Sequence, residues 1–127
     1  MNLDWSCGEL AEGLRCYRNQ EFFLAHEHWE IIWLRCDEPV KTFLQALIQI
    51  TAAFHHLQTG NPTGALSLLR RALRRLELCP ACFEGIAVTP LCTEVRDWIQ
   101  AIESGAASTP PAFPRICPID RSAPRFS

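Results

Sequence analysis

The chain has 127 residues, of which 12 are Lys or Arg and 14 are Asp or Glu, for a formal net charge of −2. Apolar types make up 48% and charged types 20%, which excludes a wholly disordered chain and leaves length for one domain with a real core. The near-neutral balance gives no general polyanion-binding signal. No run approaches the roughly 18 uninterrupted apolar residues of a membrane span, so no membrane association is expected.

Charge is uneven along the chain. Residues 1–38 hold eight acids and three bases, a balance of −5, and residues 39–78 hold five bases and one acid, a balance of +4. Met1 to Leu10 carries Asp4 and Glu9 and no basic, apolar leader. A cytoplasmic setting is therefore expected, with most of the seven cysteines as free thiols.

Taken in order, the pattern predicts an all-α, compact bundle of about five helices. Leu10, Leu14 and Tyr17 mark a first helix near residues 6–18. Asn19 is read as the N-cap of a second helix that runs to about Cys36. Asp37 is a capping candidate for a third, with Pro39 near its first turn and its end near Thr59. Gly60 and Asn61-Pro62 separate the third helix from the fourth. In that fourth helix Leu66, Leu69, Leu73 and Leu76 oppose Arg70, Arg71, Arg74 and Arg75. Cys79-Pro80 stops it, and Thr89-Pro90 starts a fifth whose apolar face is Leu91, Val95, Trp98, Ile99 and Ile102. Strands are not expected. The ordered domain is placed at residues 3–104. Residues 105–127, with five prolines, are read as an irregular, extended tail without a core of its own, either mobile and disordered or packed on the surface.

Polar residues intrude on the apolar pattern of the second and third helices. With His26 at zero on a helical wheel, Glu30 falls at about 40°, and Trp33, Phe22 and Trp29 fall within about 60° of His26 on the other side. On the third helix Gln45, Gln49 and His56 lie within about 40° of one another, with small Ala52 among them. The five polar residues His26, Glu30, Gln45, Gln49 and His56 are thus expected to converge between two packed helices.

Two chemistries fit that convergence, and a third reading leaves Glu30 simply partly exposed. One is a buried hydrogen-bond network that fixes helix register, in a binding or scaffold module. The other is a divalent metal site, with His26, Glu30 and His56 as ligands and Glu27 as general base of a metal-dependent hydrolase. His26-Glu27-x-x-Glu30 matches the zincin motif only at its first two residues, and Glu27 projects about 100° from His26. Cys79-x-x-Cys82 has the spacing of half a zinc knuckle or a redox pair, but no second ligand pair accompanies it. The arginine rows read as a solvated face, so nucleic acid is not an expected partner, while a homo-oligomer is left open. Trp5, Trp29, Trp33 and Trp98 read as core or interface anchors.

Several segments resemble one known family. Phe22-Phe23-Leu24-Ala25-His26-Glu27-His28-Trp29-Glu30 with Trp33, then Phe43-Leu44-Gln45-Ala46-Leu47-Ile48-Gln49, then His55-His56 with Gly60-Asn61-Pro62 and Gly64-Ala65, are similar in order to the motifs of domain of unknown function 309. Gly85-Ile86 suits a later turn of the same pattern. Ala46 and Gln20 depart from it, each standing where glycine is usual. The resemblance implies a small helical bundle of bacterial or archaeal cytoplasm and no established activity. Metal-dependent hydrolysis is a guess made for such proteins.

Overall fold

A computed structural model describes residues 3–105, 111–116 and 118. The fold is all-α. Its helices are α1 (Gly8–Arg18), α2 (Phe22–Trp33), α3 (Val40–Gln58), α4 (Pro62–Leu76) and α5 (Val88–Ser104), each packed on its neighbour in the chain. A two-stranded hairpin, which the sequence pattern does not announce, joins the last two. Its strands β1 (Cys82–Phe83) and β2 (Ile86–Ala87) pair antiparallel around Glu84-Gly85, both at positive φ. Two residues per strand are too few for alternation to register.

Helix ends explain the differences from the sequence pattern. Asn19 closes α1 instead of opening α2: its amide bonds back to Arg15 and Cys16, and Gln20 follows at φ 61°. The α2 helix stops at Trp33, short of Cys36, as Leu34 and Arg35 tighten into a turn. At the start of α3 Pro39 holds the N-cap position, and the side chain that reaches the first turn is Glu38, not Asp37. Its carboxylate accepts from the Thr42 amide and hydroxyl, and those bonds hold it below the usual carboxylate range. Asn61 caps α4 as expected, its Oδ1 accepting from the Gly64 amide at 3.0 Å.

Helix α3 is central. Phe43, Leu44, Leu47, Ile50 and Phe54 are fully buried between α2 and α4. Each such side chain contributes about 1.5–3 kcal/mol through burial. Helices α1 and α2 meet at Trp29, fully buried against Gly13. A Cβ on Gly13 would lie 2.2 Å from the indole nitrogen, so only glycine admits this approach. The indole donates to the Leu10 carbonyl, and the ring lies edge-on to Trp5 and stacks on Tyr17.

Within the stretch read as a tail, residues 111–116 lie against the helices. Pro114 and Ile116 are buried there, Phe113 sits among Phe22, Phe54 and Trp98, and Pro118 bridges to Ile86. Proline content forbids helix and sheet interior here but not burial, because an extended segment can meet its hydrogen-bond needs through side chains.

Candidate functional site

The five polar residues do not close into one buried network. The core-facing direction of α2 is set by Phe22, Ala25 and Trp29, all but fully buried. That direction lies about 70° from His26 and about 110° from Glu30. Both residues therefore sit on the shoulder of the helix, with side-chain exposures of 31% and 48%. Their closest approach, His26 Nδ1 to Glu30 Oε2, is 3.5 Å. Phe22 and Trp29, grouped with them on the wheel, instead turn inward. Glu27 is exposed and makes no ion pair or side-chain hydrogen bond among the described residues.

Across the seam, α3 presents a matching shoulder. Lys41, Gln45, Gln49, Ala52 and His56 fall within about 80° of one another. All are half-buried except Gln49, which is 6% exposed. The two shoulders meet at both ends. The Lys41 ammonium lies 4.3 Å from the Trp33 ring centroid, a cation–π contact. At the other end Phe23 packs on His55 with centroids 5.4 Å apart, and on His26 at 6.4 Å. Two atoms of this face are buried without a hydrogen-bond partner among the described residues: the Trp33 indole nitrogen and the Gln49 Oε1.

His56 has a different task. Asn61 Oδ1 is committed to Gly64, so its Nδ2 donates to His56 Nδ1 at 3.3 Å. The His56 carbonyl accepts from the Asn61 amide at 2.8 Å. His56 thus holds the turn into α4. Gly64 belongs to the same device, since a Cβ there would lie 2.5 Å from Asn61 Nδ2. Among the described residues no three His, Cys, Asp or Glu side chains come together as a metal-holding group. His26, Glu30 and His56 are not gathered as such a group among the described residues.

Cys79 is half-buried with its thiol donating to the Arg75 carbonyl at 3.6 Å, while Cys82 is exposed at the start of β1. Burial pushes the Cys79 and Cys92 thiols up, away from the thiolate that metal binding and nucleophilic attack require. Six cysteines among the described residues are free, and Cys117 lies outside them. Arg70, Arg71 and Arg74 are exposed, with Arg70 paired to Glu103, while Arg75 is half-buried. No helix among the described residues is long and apolar enough to cross a membrane.

Sequence periodicity alone does not single out Lys41, Phe23 or the orphaned Trp33 nitrogen as parts of the site. The available signal is spacing: Lys41 lies four residues before Gln45, and Phe23 three before His26, on the same shoulders.

Residues 10–68, which contain both shoulders, match the family described as Domain of unknown function (DUF309). Gly85-Ile86 lies beyond that match. An uncharacterized protein of Aquifex aeolicus (strain VF5) is 29% identical over 94 residues, covering 73% of this chain. The matched part is 27% of the relative, so this chain spans little more than a quarter of its length. Over residues 10–68 this chain is similar to the family described as Domain of unknown function (DUF309).

Proposed function

We propose that the chain is a helical binding module, and that its ligand-facing surface is the α2–α3 shoulder built from Phe23, His26, Glu30, Trp33, Lys41, Gln45 and Gln49. The observation that carries this reading is the unpartnered Gln49 Oε1, 94% of whose residue is withdrawn from solvent on a face where its neighbours are half-exposed. A buried acceptor left unpaired costs about 1–3 kcal/mol. Such a cost is tolerated where an incoming donor completes the bond, and stability is commonly given up at sites of function. The six free thiols fit a reducing, cytoplasmic setting.

The experiment is a titration with small amide and guanidinium fragments, followed through the Gln49 side-chain amide and Trp33 indole resonances. Both are expected to shift. Gln49→Met is expected to fold with an unchanged or higher melting temperature and to lose the response. Severe unfolding of Gln49→Met would favour a purely structural role for the polar residues.

The metal-dependent hydrolase reading, with His26, Glu30 and His56 as ligands and Glu27 as base, has less behind it. Its third ligand is occupied in a turn, and its base projects into solvent. Stoichiometric divalent metal in protein purified without chelator, lost on His26→Ala, would reverse that ranking.

A further inference from the structure

Residues 111–116, Pro-Ala-Phe-Pro-Arg-Ile, belong to no helix or strand, yet their backbone is gripped by side chains of the helices. The buried Tyr17 hydroxyl donates to the Pro114 carbonyl at 2.6 Å, and the Trp98 indole donates to the Ala112 carbonyl at 2.9 Å. Between those bonds Phe113 enters an aromatic cradle. It stacks on Trp98 with planes 9° apart, and meets Phe22 and Phe54 edge-on with centroids 5.0 Å away.

This is the chemistry of peptide recognition. Hydroxyl and indole donors read carbonyls of an extended, proline-stiffened backbone, and one aromatic anchor fills the pocket. Proline lowers the ordering cost because its φ is already fixed. Three cradle residues, Tyr17, Phe22 and Phe54, lie inside the matched span 10–68, whereas the segment that fills the cradle lies outside it. Without an occupant, two buried donors lose their partners and the faces of Phe22 and Phe54 open to water. Each loss is unfavourable.

We infer that the cradle of Tyr17, Phe22, Phe54 and Trp98 is a second binding site, specific for an extended peptide carrying a proline-flanked phenylalanine. Residues 111–116 are its ligand in cis. A partner chain presenting the same chemistry binds by displacing them. Tethering gives the cis segment a high effective concentration, so the intact chain masks the site.

The test uses the full chain with Phe113→Ala, which empties the pocket, and a fluorescent synthetic peptide with the sequence of residues 111–116. The peptide is expected to bind the variant at least about tenfold more tightly than the unsubstituted chain, where the cis segment competes. At saturation it should raise the variant's melting temperature by about 5 °C or more. A peptide with alanine in place of its phenylalanine should do neither. Should Phe113→Ala not fold alone, its folding on addition of the peptide supports the site, and the milder Phe113→Leu serves for the same titrations. Equal binding to variant and unsubstituted chain, equal effects of the two peptides, or no binding to either variant overturns the inference.

Discussion

The two sides of α2 use similar residue types to opposite ends. Toward α1 and residues 111–116, the indoles of Trp29 and Trp98 and the Tyr17 hydroxyl are buried and each donates to a backbone carbonyl. Toward α3, the Trp33 indole nitrogen and the Gln49 amide oxygen are buried without partners among the described residues, and His26 and Glu30 remain half in water. A satisfied polar group inside an aromatic cluster specifies the fold. An unsatisfied one on a half-open face costs stability and needs another reason to be there. The contrast therefore separates scaffold from candidate site without reference to conservation.

The largest effect should come from breaking the closed side. Trp29→Ala removes a fully buried indole and its bond to Leu10, leaving a cavity over Gly13. A loss of about 3–5 kcal/mol is expected in chemical denaturation, enough to unfold many domains of this size. A loss below about 1 kcal/mol would mean that the α1–α2 contact does not organise the core.

Tyr17→Phe is a smaller break on the same side. It deletes one hydroxyl and leaves the Pro114 carbonyl without that donor, for an expected loss of about 1–3 kcal/mol. It also carries a pH signature. Burial, reinforced by the charge of Glu94, raises the Tyr17 phenol above its ordinary value. A group raised in the folded state contributes stability that is fully present below its unfolded pKa and lost as pH climbs above it. Stability should thus fall above about pH 10, by up to about 1.4 kcal/mol per pH unit from this one group. Denaturation series between pH 9 and 11 on both proteins check it: the Tyr17→Phe curve should be flatter by that slope.

The helices were legible because their signals are local. Leu69 and Leu76 opposite the arginine rows, Asn61-Pro62 at a helix start and Gly60 at a helix end each act within one turn. The site was legible only in part. Wheel angles place His26 beside Phe22, Trp29 and Trp33, but they do not say which of those aromatics marks the centre of the core. That centre is fixed by α1, through the contact of Gly13 with Trp29, a residue pair 16 positions apart. The role of Phe113 was hidden for the same reason. Proline-rich composition reports the absence of regular structure, whereas the cradle is assembled from residues as distant as Tyr17 and Trp98.

The smallest effect decides how the open face is to be read. If His26 and Glu30 were members of a closed network, Glu30→Gln would weaken a buried charged contact and cost several kcal/mol. With Glu30 48% exposed and 3.5 Å from His26, the pair belongs to the class of solvent-screened helix contacts. Glu30→Gln is therefore expected to change stability by no more than about 0.5 kcal/mol, and high salt should shrink even that difference. A double-mutant cycle with His26→Ala measures the coupling directly. A near-zero coupling energy alongside loss of the fragment response on Glu30→Gln would mark the carboxylate as part of a binding surface. A coupling above about 2 kcal/mol would move the pair to the closed side of the molecule and remove the contrast on which the site assignment rests.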